Sequence, residues 1–189
     1  MPAIPTITTD RLILRLAEPS DVPAVIRYFT DNAEHLAPTF PLAPPGFLTE
    51  EYWLRQVAQN HDNFAAGRTV KFFLFPRDEP GLVVGGLSLN NIVRGSAHSC
   101  DLGYSLAADR QGQGLMTEAV TAVIRYAFED LGLHRVKAAY LPANERSGRL
   151  LRRLGFVVDG YARDYLYIQG RWQDQVLVGL VNPAWQARG

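Results

Sequence analysis

Two glycines one residue apart, Gly112 and Gly114, stand in the run Asp109-Arg110-Gln111-Gly112-Gln113-Gly114-Leu115-Met116-Thr117-Glu118. The run lies between a strand-like stretch ending Tyr104-Ser105-Leu106 and a long helical pattern. Glycines at a strand-to-helix junction let successive backbone N–H groups turn outward together. With the helix dipole behind it, such an array is an anion site suited to phosphate. From these residues alone, a tight turn without a ligand fits as well. Downstream, the interval Arg135–Arg171 carries 8 basic side chains against 3 acidic ones, in a chain whose formal net charge is zero. A polyphosphate ligand accounts for that excess. A solvated helix face accounts for part of it, because Arg149, Arg152 and Arg153 fall on one short helix.

Around this run the composition is ordinary for a globular chain: of 189 residues, 47% are hydrophobic and 20% charged. Such a chain buries a full core without disulfides or metal staples. Lys+Arg and Asp+Glu balance at 19 each, so no global field draws the chain to nucleic acid or to an anionic membrane. The single cysteine, Cys100, excludes an intrachain disulfide, and His35, His61, His98 and His134 are scattered without metal-ligand spacing. Met1-Pro2-Ala3-Ile4-Pro5 lacks the basic start and apolar core of a signal peptide. No apolar run nears the roughly 18 residues of a membrane span. The expectation is a soluble cytoplasmic protein that uses no metal.

The elements that must position the glycine run alternate strand and helix. Arg11–Leu16 reads as a strand, and Ser20-Asp21 caps a helix to about Thr30 with Val22, Val25, Ile26 and Phe29 on its apolar stripe. From Leu36 to Leu48, Pro38, Pro41, Pro44, Pro45 and Gly46 predict irregular chain, a binding loop of about a dozen residues. Thr49 caps a second helix to about Ala66. Strands follow at Val70–Phe75, Leu82–Leu89 and His98–Leu106, the first two joined as a hairpin through Pro76–Gly81. The helix after the glycine run starts at Leu115, carries Val120, Ile124 and Phe128 one turn apart, and ends at Gly132. Arg135–Leu141 is a strand, and Asn144 is the N-cap of a helix through Leu154. Phe156–Ile168 and Arg171–Val181 form two more strands joined by Gln169-Gly170. The tally is about seven strands and about four helices in one mixed α/β domain over residues 1–189. In open α/β sheets ligands bind beyond the carboxyl ends of strands, so the glycine run and the Asn144 helix are expected to face one crevice.

The order strand, Arg110-Gln111-Gly112-Gln113-Gly114, helix, strand, Asn144-x-x-Ser147, helix resembles the GNAT acetyltransferases over nearly the whole chain, and within them the RimJ/RimL type. Its most specific parts are Leu102-Gly103-Tyr104-Ser105, Gly112-Gln113-Gly114-Leu115-Met116, and Arg146-Ser147-Gly148 with Leu154-Gly155-Phe156. Arg94-Gly95-Ser96, Gly160-Tyr161-Ala162-Arg163-Asp164-Tyr165-Leu166 and Asn182-Pro183-x-Trp185 resemble the subgroup that modifies an N-terminal alanine of a small-subunit ribosomal protein. The resemblance implies a GNAT fold, a central twisted mixed sheet flanked by helices, and acetyl transfer from acetyl-CoA. It implies that the N–H groups of Gln111, Gly112, Gln113, Gly114, Leu115 and Met116 hold the coenzyme A pyrophosphate. Arg110, or an arginine of the Asn144 helix, would meet the outer phosphate. Tyr104, Ser105 and Leu106 would pair with the pantetheine arm as a surrogate strand, and Asn144 would touch the same arm. Thr117, Leu150 and Arg152 complete the implied donor-binding set. Asp109 departs from the family, which often has Gln or Arg there. That affects a side-chain contact and leaves the backbone cradle intact.

Acetyl transfer to an amine needs a neutral amine, a polarised thioester carbonyl and a proton for the departing sulfur. An α-amino group, with a pKa of about 7.7–8.0, is partly neutral near pH 7, whereas a lysine at about 10.4 is almost wholly charged. An α-amine acceptor therefore needs only a weak base. Asp101, which shares a strand face with Gly103 and Ser105, and Asp164 are the candidates, with His98 a distant third. An exposed strand carboxylate is the equally open reading of Asp101. By the resemblance, Ser147, one turn into its helix, hydrogen-bonds or protonates the leaving sulfur. Backbone N–H groups near Tyr104–Leu106 would polarise the carbonyl. Cys100 points opposite Asp101 and reads as a buried hydrophobe, so transfer is direct. Trp53, Phe72, Phe73, Tyr161, Tyr165 and Tyr167 divide between core and acceptor cleft. The implied partner is a ribosomal protein or other protein N-terminus, with ribosome association open and monomer or dimer undetermined. Two other functions fit the same residues: a small-molecule amine acetyltransferase (polyamine or antibiotic-like) and a non-catalytic acyl-CoA-binding regulator.

Overall fold

A computed structural model of the chain describes residues 4–186; Met1 to Ala3 of the N-terminal run lie outside them. The elements in order are β1 (Thr6–Thr8), β2 (Leu12–Arg15), α1 (Val22–Asp31), α2 (Ala33–Leu36), α3 (Glu50–Ala65), β3 (Val70–Pro76), β4 (Gly85–Val93) and β5 (Ser99–Leu106). They continue with α4 (Leu115–Glu129), β6 (Arg135–Tyr140), α5 (Glu145–Arg153), β7 (Val157–Ile168) and β8 (Arg171–Val181). The strands form one 8-stranded sheet in the order β1-β2-β3-β4-β5-β6-β8-β7. Every neighbouring pair is antiparallel except β5 and β6, which α4 connects as a parallel crossover.

Apolar alternation builds two cores. On one face α4 and α5 bury Leu115, Met116, Ala119, Val120, Val123, Leu150 and Leu151 against Phe72, Leu87, Cys100, Leu102, Val136 and Ala138. On the other, α1 and α3 bury Val25, Phe29, Trp53 and Val57 against Phe73 and Phe75. Cys100 sits fully inside the first core, and burial, with the nearby Asp101 charge, pushes its thiol up to about 12. It is the buried hydrophobe expected, with no thiolate to offer.

The parallel pair is the feature that makes a site. Its register runs from Ser99 opposite Arg135 to Leu102 opposite Ala138 and then stops. Both strands continue, each still bonded to its outer neighbour: β5 to β4 as far as Leu106 opposite Gly85, and β6 to β8 as far as Tyr140 opposite Val176. The inner edges diverge into a wedge. The Ala107 N–H donates to the Val84 carbonyl just before β4, so strand alternation turns the backbone groups of Tyr104 and Leu106 to the wedge side.

Several boundaries differ from the sequence expectation. The strand expected at Leu82 starts at Gly85 and runs to Val93. Leu82, Val83 and Val84 are an apolar lead-in that packs without joining the regular ladder, although the Val84 N–H still reaches the Leu74 carbonyl. The Leu36–Leu48 passage is not wholly irregular. It opens with the end of α2 and a 3-10 turn over Ala37–Thr39, because Pro38 near a helix start loses no needed hydrogen bond. The short strand β1 and the single-turn helix α2 bring the totals among the described residues to eight strands and five α-helices; neither is long enough to show a period. Among the described residues, no helix is long and apolar enough to cross a membrane.

Candidate active site

The glycine run lies at the mouth of the wedge. Gly112 and Gly114 hold positive φ angles of 78° and 80°, a conformation that residues with a Cβ adopt at a cost. Gly114 is the N-cap of α4, and no side chain caps the helix. The first-turn N–H groups thus face outward with the positive end of the helix dipole behind them. A clamp that sequence reasoning missed holds the run from behind. Glu118, in the first turn of α4, accepts from the Thr9 hydroxyl at 2.6 Å, the Arg11 backbone N–H at 2.8 Å and the Arg11 Nε at 2.7 Å. The other end of Arg11 donates to the Gln113 carbonyl at 2.8 Å. Burial alone would raise the Glu118 carboxyl, but the Thr9 and Arg11 hydrogen bonds outweigh it and hold the group below its usual range.

Opposite the run, Asn144 caps α5: its Oδ1 accepts the Ser147 N–H at 3.1 Å. Ser147 therefore stands at the edge of the wedge, and its Oγ lies 2.7 Å from the Tyr104 hydroxyl on β5. Burial, against the partial relief of that hydrogen bond, pushes the Tyr104 phenol up to about 12. On the other face of β5 the Tyr28 hydroxyl donates to Ser105 Oγ at 2.9 Å, which anchors α1 to the same strand end.

Between these parts is a cleft of about 890 Å³. Of the residues expected to bind a donor, Tyr104, Ser105, Leu106, Gln111, Gly112, Gly114, Leu115, Met116, Thr117, Asn144, Ser147 and Leu150 line it. Arg110, Gln113 and Arg152 do not. Arg110 pairs with Glu79 at 3.1 Å, the Gln113 carbonyl turns back to Arg11, and Arg152 donates to the Gly148 carbonyl at 3.3 Å. The arginines that do line the cleft are Arg146, Arg149 and Arg153, and Arg149 is already paired with Glu145 at 2.7 Å. Among the described residues, Arg146 and Arg153 have no carboxylate partner. His35, Leu36, Pro38 and Thr39 close one side of the cleft, and His35 Nε2 lies 2.7 Å from Gln111 Nε2.

The two candidate bases lie elsewhere. Asp101 pairs with Lys137 at 2.9 Å and accepts from Asn91 at 2.9 Å, in the part of the β5–β6 pair that stays closed. Asp164 sits at a bulge of the β7–β8 hairpin with φ of 49°, its N–H donating to Asp174 at 3.0 Å. The structure brings neither into the cleft with Ser147. His98 packs on Trp185, with ring centroids 5.1 Å apart, also outside the cleft. Tyr161, Tyr165, Tyr167 and Trp172 are exposed on the hairpin, whose tip reaches the loop after α2 through a Gln169 bond to the Phe40 carbonyl at 3.1 Å. Among the described residues, no His, Cys, Asp and Glu cluster could hold a metal ion.

Wedge, outward N–H groups and two unpaired arginines define a class of protein: one built to hold an extended ligand, polar along its length and anionic at one end. The chain belongs to the acetyltransferase (GNAT) domain family, which it matches over residues 11–157, and its chemistry is acetyl transfer. It is 41% identical, over 95% of its length and 92% of the relative's, to the ribosomal protein uS5-alanine N-acetyltransferase of Escherichia coli (strain K12). Its fold superposes on the crystal structure of ribosomal-protein-S5-alanine acetyltransferase from Vibrio fischeri with a TM-score of 0.91 at 34% identity, covering 97% of this chain and 100% of that one. Mycobacterium smegmatis RimJ, solved in complex with CoA-disulfide, is similar with a TM-score of 0.83 at 27% identity, over 90% of this chain and 81% of that one.

Proposed function

We propose that the protein acetylates the α-amino group of an N-terminal alanine on a ribosomal protein, drawing on acetyl-CoA, as one acetyltransferase unit working in the cytoplasm. The observation that carries the donor half is the wedge: β5 and β6 part after Leu102 and Ala138, leaving strand-edge backbone groups beside an uncapped helix N-terminus. The Tyr104 and Leu106 backbone would pair with the amides of the pantetheine arm, the first turn of α4 would receive the pyrophosphate, and Arg146 or Arg153 would meet the outer phosphate. Acetyl-CoA, when bound, supplies a thioester carbonyl that the amine attacks directly. Ser147, in the cleft and hydrogen-bonded through its side chain, would donate to the leaving sulfur.

The acceptor half rests on the identity to the uS5-alanine enzyme along nearly the full chain. It is also supported by the open sheet face beside α1 and α3. There Gly86, Ser88, Asn90, Gly103 and Ser105 are all half-buried on the central strands, a small-residue floor on which an extended N-terminus can lie. An α-amine needs little help to lose its proton, so kcat/KM is expected to climb with pH and level off above about 8, the range of the amine itself.

A peptide with a free N-terminal alanine is expected to drive CoA release, and the same peptide blocked at its amine is expected to give none. Equal rates on both, or turnover with polyamines alone, would overturn the assignment. Ser147→Ala is expected to lower kcat about 100-fold with an unchanged KM for acetyl-CoA, the scale of one lost hydrogen-bond donor to a developing charge. Asp101→Asn and Asp164→Asn decide the base. Where water takes the proton both stay within about twofold of the parent, and a fall of about tenfold or more in one assigns the role to that carboxylate.

A further inference from the structure

Ser147 Oγ and the Tyr104 hydroxyl are 2.7 Å apart, and the direction of that bond matters. A hydroxyl carries one proton and two lone pairs. If Ser147 gave its proton to Tyr104, it would have nothing to offer the cleft. Tyr104 lies on β5 among residues packed against the α4–α5 core, with Ser147 as its only hydrogen-bond partner among the described residues. A phenol kept protonated by burial in such a place gives its proton to the neighbour that can accept it. Tyr140 is the other titratable group acting on it, and among the described residues no carboxylate competes for the proton. The Ser147 backbone is fixed from the other side by the Asn144 cap, so the remaining freedom of its hydroxyl is the rotation that Tyr104 sets.

We infer that Tyr104 is a positioning residue for the acetyl transfer: its hydroxyl donates to Ser147 Oγ and turns the Ser147 proton into the cleft, toward the leaving sulfur. This rests on the donor role proposed for Ser147 and adds a second donor behind the first. As the C–N bond forms and the C–S bond breaks, the electron pair leaves on sulfur and the Ser147 O–H donates to it. The proton that sulfur finally carries is the one the acceptor nitrogen gives up. Tyr104 keeps its own proton throughout and polarises Ser147, as hydrogen bonds in a chain strengthen one another.

The test is a double-mutant cycle of Tyr104→Phe, which keeps the ring and its packing, with Ser147→Ala. Tyr104→Phe is expected to lower kcat about tenfold, the worth of one hydrogen bond, with KM for acetyl-CoA unchanged. The double variant should be no slower than Ser147→Ala alone. A readout without turnover accompanies it: the thiol pKa of bound CoA, followed by thiolate absorbance. Tyr104→Phe and Ser147→Ala should both raise it, by about one unit for Ser147→Ala and less for Tyr104→Phe. Tyr104→Phe with parental kcat and thiol pKa, or additive losses in the double variant, overturns the positioning role while leaving Ser147 its own. Ser147→Ala with parental kcat and thiol pKa overturns both.

Discussion

At the residue scale, the side chains that touch the cleft are held by partners remote in sequence. Asn144 and Ser147 are three residues apart, and the cap they form is written in their spacing. The Glu118 clamp draws on Thr9 and Arg11, more than 100 residues away, and no local pattern announces it. The Glu118 carboxyl is held below its unfolded value, so it contributes stability above that value and loses it as pH falls through the lower, folded one. Asp21 behaves alike: desolvation raises its carboxyl, but two hydrogen bonds from Arg15, at 2.6 and 2.8 Å, and one from the Glu18 N–H leave it depressed. Glu118→Gln is therefore expected to cost about 1–2 kcal/mol near pH 7, with the difference from the parent shrinking as pH drops below about 4. Urea midpoints at pH 7 and pH 3.5 check it.

At the element scale, most of the architecture was legible. Thr49 caps α3 by accepting the Tyr52 N–H, Asn144 caps α5, and Gln169 and Gly170 turn the β7–β8 hairpin with φ of 51° and 77°, the signature of a two-residue loop. Cap, turn and period are local, so the residues display them. The divergence of β5 from β6 is not local. Leu102 through Leu106 reads as ordinary strand, and only the pairing reveals that its second half has lost a neighbour. The setting of the two candidate carboxylates was illegible for the same reason, since Asp101 looks available until Lys137 is seen beside it. Asn144→Ala is expected to cost about 1 kcal/mol through the lost cap and to raise KM for acetyl-CoA, because the cap also aims the α5 residues that line the cleft. Gly114→Ala is expected to cost about 1–2 kcal/mol for a side chain held at positive φ. Thermal midpoints and CoA titrations separate the two effects.

On the scale of the whole molecule, the sheet divides the labour. Its α4–α5 side is a closed core that serves the donor, and its α1–α3 side leaves the central strands open, with the hairpin tip leaning on Phe40. A ligand bound only by the folded state stabilises it in proportion to the logarithm of its concentration, by about 2.7 kcal/mol at 100 times Kd. Saturating CoA is accordingly expected to lift the denaturant midpoint of the parent, and the lift should shrink in an Arg146→Ala, Arg153→Ala double variant. The parted strands have one more consequence. A strand edge without a partner leaves its amides to water, so in deuterated buffer the Tyr104 and Leu106 positions should label quickly, while Cys100 and Leu102, still laddered to β6, label slowly. Adding CoA should quench that labelling at Tyr104 and Leu106. The time course of mass at one short peptide from β5 would then report donor occupancy directly, with no acceptor present and no turnover.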